Sequence, residues 1–198
     1  MRPLIEFATA PTVAWANGLG RTTELVSWER SREFSGPDAS PWRLSIAELA
    51  GPAPFSPLPG VRRYFLPVGG SVMLTVDGVL RRVRAGTVAE FAGDDEVALT
   101  ELADGPCHAV NLMVRAGPEH GRPVDSGPAG GQPGDGPVLT VGSIAGAAGC
   151  LVAVALGSGA GVERFDVLDP SQAVACSLPV ALVGAGRPRP RVVGAPVS

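Results

Sequence analysis

The side chains that could carry out chemistry in this chain are few. It has two histidines, His108 and His120, and a single tyrosine, Tyr64. A transition-metal site needs three clustered histidines, or two histidines with a carboxylate, and His120 falls in a stretch rich in glycine and proline. The sequence also lacks the aspartate-rich loop that is typical of calcium sites. We therefore expect no metal and no cofactor.

Nucleophilic catalysis is also disfavoured. Cys107 precedes His108, but consecutive residues of a strand point to opposite faces, so the two cannot form a catalytic dyad. We predict that Cys107 is a small buried residue and name no catalytic residue. An isomerase or epimerase without metal remains the alternative, and Glu24, His108 and Tyr64 are its only attractive general acids and bases.

Two segments place polar residues opposite an apolar face. Arg43 and Ser45 alternate with apolar residues in WRLSIAE, and Asn111 and Arg115 do so in CHAVNLMVR. In an open sandwich such a face is exposed to solvent, whereas inside a hollow barrel it lines a pocket. An arginine there would match a carboxylate through its bidentate fork. From periodicity alone the wetted surface is the favoured interpretation.

The elements that carry these residues are short strands. Alternation of period two dominates the first half, and SVMLTV, Asp77-Gly78 and VLRRV together predict a hairpin. GCLVAVAL and VERFDVL on either side of GSGAG predict a second hairpin. Nothing indicates a helix longer than two turns. The pattern predicts an all-β sandwich or barrel.

Composition agrees with a folded chain of one domain or two small fused halves. Of 198 residues, 45% are hydrophobic and 18% charged, so a real core can form. We divide the chain into residues 1–115, a Gly/Pro-rich linker at 116–137, and a smaller β half at 138–198. The net charge is -3 and all basic residues are arginine, which disfavours nucleic acid as a partner.

Cysteine usage and apolar runs point to the cytoplasm. The three cysteines are an odd number without CxxC spacing, so neither a disulfide framework nor a zinc knuckle is expected. The N-terminus lacks the apolar region of a secretory signal. The most apolar run, 150–156, is far shorter than the ~20 residues that span a bilayer, so we expect no membrane partner.

Four segments, taken in order, resemble the HutD/Ves family. They are WANGLGRTTE from Trp15 to Glu24, WRLSIA from Trp42, GPAPFSPLPG from Gly51, and NLMVR from Asn111. Their order and spacing agree with the family pattern over about residues 10–115. The second half matches only loosely, through its hairpin and the 166–169 region.

The resemblance implies an all-β cupin-type (RmlC-like) jelly-roll barrel in a bicupin arrangement. It also implies a link to histidine utilisation or, in the Ves branch, to stress responses. The expected role is regulatory: binding a small acidic metabolite that resembles formylglutamate, formiminoglutamate or urocanate. A homodimer is one possible oligomeric state, which the sequence leaves open. The implied ligand-binding residues are Trp15, Asn17, Thr22, Glu24, Arg43, Ser45, Arg63, Asn111 and Arg115.

Parity and resemblance together predict where this site lies. We expect Arg43 and Arg115 to face the interior of the first barrel with Ser45 and Asn111. Glu24 is the expected partner of Arg43, because an isolated buried charge costs several kcal/mol. A structural interaction module with a filled barrel ranks last, after a binding protein and a metal-free enzyme.

The sequence departs from the family pattern at three positions. Leu19 replaces a glycine, and Arg62 and Ala109 stand where the family is expected to have aspartates. Losing two carboxylates would make the proposed pocket more positive.

Overall fold

The computed structural model describes residues 2–115, 136–143, 150–170 and 178–185. The predicted linker 116–137, apart from its last two residues, lies outside these ranges, as do His120, Cys176 and the tail beyond 185. Within the described part the elements are a 3-10 helix (Phe7–Thr9), α1 (Ser31–Ser35) and the strands β1 (Thr12–Ala14), β2 (Gly20–Val26), β3 (Trp42–Leu49), β4 (Ala53–Pro54), β5 (Val61–Val68), β6 (Val72–Val76), β7 (Val79–Val83), β8 (Ala89–Ala92), β9 (Val97–Leu102), β10 (Cys107–Arg115), β11 (Pro137–Ser143), β12 (Cys150–Ala155), β13 (Val167–Leu168) and β14 (Pro179–Ala185).

These strands form three antiparallel sheets. A six-stranded sheet has the order β1-β2-β3-β10-β5-β8, and a four-stranded sheet with the order β4-β9-β6-β7 covers one of its faces. The third sheet, β11-β14-β12-β13, packs on the opposite face. The predicted all-β, cupin-type jelly-roll fold is confirmed, and the bicupin arrangement stays a prediction.

The six-stranded sheet is buried on both faces. The barrel core lies between it and the β4-β9-β6-β7 sheet and includes Ala47, Phe65, Leu74, Phe91 and Ala109. The shared core lies on the other face, against the third sheet, and includes Trp42, Leu44, Ile46, Leu112, Val154 and Val183. Alternation along β3 and β10 therefore sends consecutive residues into different cores.

The Asp77-Gly78 hairpin is confirmed. β6 and β7 pair from Val72↔Val83 to Val76↔Val79, and both turn residues have positive φ, 49° and 77°. These values fit a type I′ turn, in which the backbone twist matches that of the two strands. The hairpin contributes Val72 and Leu74 to the barrel core.

The second predicted hairpin forms in part. β12 pairs with β13 through Ala153↔Leu168 and Val154↔Val167. The N-terminal segment also joins this half, because the backbone N–H of Leu4 donates to the carbonyl of Val167 at 2.8 Å. Across the described residues, none of the helices has the length and apolar character required to cross a bilayer.

Candidate functional site

Four strands bring polar side chains together on the barrel-core face of the six-stranded sheet. In one row, Ser45 on β3 pairs with Glu24 on β2 and Asn111 on β10. In the next row, Met113 on β10 lies between Arg43 on β3 and Arg63 on β5. The rows are two residues apart along each strand, roughly 7 Å. We call the set Glu24, Arg43, Ser45, Arg63 and Asn111 the inner-face cluster.

The inner-face cluster lies inside the barrel. The solvent-exposed position that periodicity favoured for these polar residues is therefore wrong. Ser45 is 1% exposed, Arg63 8% and Asn111 9%. The β4-β9-β6-β7 sheet packs on this face. The alternation of residues along one strand does not show on which face a second sheet will pack. The interior position expected for Ser45 and Asn111 is confirmed.

Arg43 and Glu24 form an ion pair. The Nε of Arg43 donates a short hydrogen bond to Oε2 of Glu24, and both side chains keep about 30% of their exposure. The predicted partnership is confirmed. Because solvent still reaches the pair, another carboxylate could approach the same guanidinium.

Arg63 is a buried cation without a carboxylate. Its Nη1 donates to the carbonyl of Ser56 at 2.9 Å, and its Cζ lies 4.9 Å and 5.6 Å from the ring centroids of Phe55 and Phe91. Its Nε is buried and has no hydrogen-bond partner, and no described residue forms an ion pair with it. Burial, followed by the nearby charge of Arg43, lowers the pKa of Arg63 from its usual value to about 10.

Ser45 and Asn111 add neutral polar groups to the cluster. Ser45 and Asn111 are buried and pair with each other in the register of β3 and β10, so a hydroxyl and an amide lie on the same face. Buried polar groups in native proteins are nearly always satisfied by protein, water or ligand. Together with Arg63, they form a donor-rich surface that suits an oxyanion.

Trp15 and Thr22 lie at the edge of this site. The indole Nε1–H of Trp15 donates to Oγ1 of Thr22 at 2.8 Å, and Trp15 packs against the barrel core. Gly20 is required beneath the indole, because an added Cβ would lie 2.9 Å from its ring carbons. Asn17 is exposed, and its Oδ1 accepts from the backbone N–H of Leu19 at 3.0 Å, so the side chain stabilises a turn.

Arg115 does not join the cluster, so its expected interior position is wrong. It is exposed, and its Cζ lies 4.4 Å from the ring centroid of Trp28. Arg115 lies on the same face of β10 as Asn111, as predicted. It is the last residue of the strand, however, and is exposed because the β4-β9-β6-β7 sheet does not bury it. No signal within CHAVNLMVR marks the end of that cover.

The three residues of the alternative enzyme are not brought together. Glu24 belongs to the inner-face cluster, whereas Tyr64 is buried in the shared core and His108 packs against Phe165, 5.0 Å between ring centroids. Burial raises the pKa of Tyr64, and burial with the charge of Arg164 lowers the pKa of His108. The proposed acid–base set is therefore wrong, because the six-stranded sheet separates Glu24 from the other two.

The Cys107–His108 pair is divided as predicted. Cys107 is buried in the barrel core and His108 lies on the opposite face. Burial raises the pKa of the Cys107 thiol, which disfavours the reactive thiolate. In the described ranges, no group of three or more histidine, cysteine, aspartate or glutamate side chains could hold a metal ion.

Of the two positions where an aspartate is expected, Ala109 and Arg62, only Ala109 lies in the interior of the barrel. Ala109 is fully buried in the barrel core, two residues before Asn111 on the same face. Arg62 instead lies on the opposite face, where it forms a 2.8 Å ion pair with Glu90. The expectation that both positions change the charge of the pocket is wrong for Arg62. Leu19 is exposed in the turn that Asn17 stabilises.

Sequence reasoning missed the aromatic contacts of Arg63. Phe55 lies in the motif segment GPAPFSPLPG, and Phe91 lies on β8, paired with Arg63 in the register. Their rings contact each other edge to face, 5.6 Å between centroids. An arginine flanked in space by two aromatic rings leaves no local pattern in any one strand.

Known proteins are similar to this chain in sequence and in fold. Two curated relatives named Protein Ves, from Citrobacter koseri and Cronobacter sakazakii, are each 37% identical over 109 and 108 residues, which is 53% of this chain. The chain spans about half the length of these relatives, 53% and 56%.

Two solved structures share the fold. HutD from Pseudomonas fluorescens SBW25 is 24% identical with a TM-score of 0.54, and covers 91% of this chain and 92% of its own. A conserved protein of unknown function from Pseudomonas aeruginosa PAO1 is 21% identical with the same TM-score, and covers 91% and 90%. The HutD family model matches residues 7–125, more than half of the sequence and every residue of the inner-face cluster. The chain therefore belongs to the HutD family.

Proposed function

We propose that this protein binds a small carboxylate inside its first barrel, at Arg63 and Arg43, and acts as a non-catalytic sensor of an acidic metabolite. The observation that carries the proposal is the buried guanidinium of Arg63, which has an unbonded Nε and no carboxylate partner among the described residues. A buried cation without a counter-charge is costly, and an anionic ligand would supply that charge.

The charges of the cluster favour a ligand with one carboxylate at this position. Glu24 already balances Arg43, so Arg63 contributes one uncompensated positive charge. A bidentate carboxylate could accept from Nε and a terminal nitrogen of Arg63. The hydroxyl of Ser45 and the amide of Asn111 provide further hydrogen bonds one row away.

The cluster fits binding better than catalysis. Its only carboxylate, Glu24, is engaged by Arg43, and the other charged members are arginines, which stay protonated at neutral pH. General acid–base catalysis needs a positioned group that exchanges its proton near the working pH. The inner-face cluster has no such group.

Family membership supports a metabolite of histidine utilisation as the ligand. Formylglutamate, formiminoglutamate and urocanate share a carboxylate, which is the group that Arg63 would bind. The competing explanation is a filled barrel in which Arg63, Phe55 and Phe91 only hold the sheets together. That explanation predicts no response to any carboxylate.

A thermal-shift screen of the full chain tests the proposal. The probes are formylglutamate, formiminoglutamate, urocanate and formate, each compared with chloride at equal ionic strength. A ligand that binds only the native state at 100 times its Kd stabilises it by about 2.7 kcal/mol, which raises the melting temperature. Arg43→Ala and Arg63→Gln should each weaken the response by ~1.5–3 kcal/mol, the scale of a charged hydrogen bond.

Arg62→Gln is the matched control. Arg62 is adjacent on β5 but lies on the opposite face in an exposed ion pair with Glu90. It should keep the full response. If none of the four probes raises the melting temperature, or if Arg63→Gln responds as the wild type does, the proposal is overturned.

A further inference from the structure

A second basic group lies on the opposite face of the six-stranded sheet, close to the third sheet. His108 on β10 pairs with Glu48 on β3 and with Val68 on β5. The guanidinium of Arg164, from the segment between β12 and β13, lies close to Gly69, the residue that follows Val68 along the chain. Its Nη2 would lie 3.2 Å from a Cβ placed on Gly69. A side chain at Gly69 would crowd the arginine.

Arg164 has unused hydrogen-bonding capacity. Its Nε is buried without a hydrogen-bond partner, and no described residue forms an ion pair with it. The Cζ of Arg164 lies 4.6 Å from the ring centroid of Phe165, and the imidazole of His108 lies 5.0 Å from the same centroid. The Phe165 ring therefore contacts both basic side chains.

The segment that carries Arg164 is held rigidly. Phe165 is buried with a positive φ of 74°, and its backbone N–H donates to the carbonyl of Ala155 at 2.7 Å. The backbone N–H of Arg164 donates to Oγ of Ser158 at 3.1 Å, and Phe7 contacts the Phe165 ring edge to face. A non-glycine residue keeps such a backbone conformation only where its surroundings fix it.

The two carboxylates nearest this group are engaged by partners other than Arg164 and His108. Glu48 is the nearest carboxylate in the row, and Arg21 pairs with it at 3.1 Å. Asp166 accepts from the backbone N–H groups of Phe7 and Glu163, both at 2.9 Å. Within the described residues neither carboxylate forms an ion pair with Arg164, and protonation of His108 would add a second positive charge beside it.

We propose that Arg164 and His108 form a second anion site, which binds a carboxylate or phosphate group between the six-stranded sheet and the segment 156–166. The proposal is independent of the first-barrel site, because the six-stranded sheet lies between them. Carboxylates and phosphates share the oxyanion geometry that a guanidinium and an imidazolium recognise.

Binding at this site depends on pH. Burial, followed by the charge of Arg164, lowers the pKa of His108, while Glu48 acts in the opposite direction. An anion that favours the imidazolium must raise that pKa, and by linkage it must bind more tightly as the pH falls.

Imidazole NMR of the full chain measures this effect. The signals of His108 and His120 are distinguished with His120→Asn, and the pKa of His108 is followed with chloride, acetate or inorganic phosphate at matched ionic strength. We expect acetate, phosphate or both to raise the pKa of His108 by about half a unit or more, roughly a threefold preference for the protonated form. The two additions show which oxyanion is preferred.

Three variants locate the effect. Arg164→Gln should abolish the response to either anion and raise the pKa of His108 in chloride, whereas Arg62→Gln should leave both unchanged. Arg164→Lys keeps the charge and should retain part of the response, which separates loss of charge from misfolding. A His108 signal that neither anion moves, or a response that persists in Arg164→Gln, overturns the proposal.

Discussion

Replacing Arg63 by methionine should separate a ligand-binding arginine from a structural one. Methionine fits beside Phe55 and Phe91, because its flexible thioether makes favourable contacts with aromatic rings. It has no charge to desolvate. The carbonyl of Ser56 lies in an exposed residue, so water can replace the lost donor.

The magnitude follows from the pKa of Arg63. A pKa lowered from its usual value to about 10 corresponds to a penalty on the order of 3 kcal/mol for the charged guanidinium in the folded state. The folded pKa of this base is lowered, so the penalty is complete below pH ~10 and is relieved only as the pH rises further. At neutral pH it is fully present.

Local contacts offset much of this penalty. The two aromatic rings contribute ~0.5–2 kcal/mol and the hydrogen bond to Ser56 about 1.5–3 kcal/mol. The terms nearly cancel, and methionine gains apolar packing. We therefore expect the free energy of unfolding of Arg63→Met, without ligand, to stay within about 1 kcal/mol of the wild type or to rise.

Urea denaturation followed by tryptophan fluorescence measures this difference. Arg62→Met is the control for an exposed arginine on the same strand. A loss of ~3 kcal/mol or more in Arg63→Met would show that the guanidinium is a structural support. That result would refute the argument for an unpaired cation awaiting an anion.

Three further predictions concern the surroundings of the two sites. Folding lowers the pKa of His108 below its usual value of 6.5, so the unfolded chain is protonated at a higher pH than the folded one. The free energy of unfolding should therefore fall as the pH drops below ~6.5. His108→Gln should reduce this fall in urea denaturation at several pH values. Thr22→Val leaves the indole N–H of Trp15 without its partner and should cost about 1 kcal/mol in the same assay. Gly93→Ala would place a Cβ 2.0 Å from the carbonyl oxygen of Leu58 and should lower the free energy of unfolding by ~2 kcal/mol or more, seen as a lower melting temperature.

The sequence predicts strand faces well, because side-chain alternation is a local property. Arg43 and Ser45 share a face, and Asn111 lies opposite Val110, as the pattern indicates. Alternation does not reveal which face another sheet will cover. The family resemblance, rather than periodicity, placed Ser45 in the barrel.

Contacts that depend on pairing between distant strands were harder to predict. The separation of Glu24 from Tyr64 follows from the registers of β2, β3, β10 and β5, which no single segment encodes. The exposure of Arg115 depends on where the barrel ends. The packing of Phe91 beside Arg63 depends on the pairing of β5 with β8, and so on how the sheet is assembled.

The shared core has a consequence for any attempt to study the first half as a fragment. The face that carries Trp42, Leu44, Ile46 and Leu112 is buried in large part by the third sheet, which supplies Val152, Val154 and Val183 to the same core. A truncation after Arg115 would expose the part of this apolar face that the third sheet covers, and such surfaces associate with one another. The isolated fragment should aggregate, although it contains every strand of the first barrel.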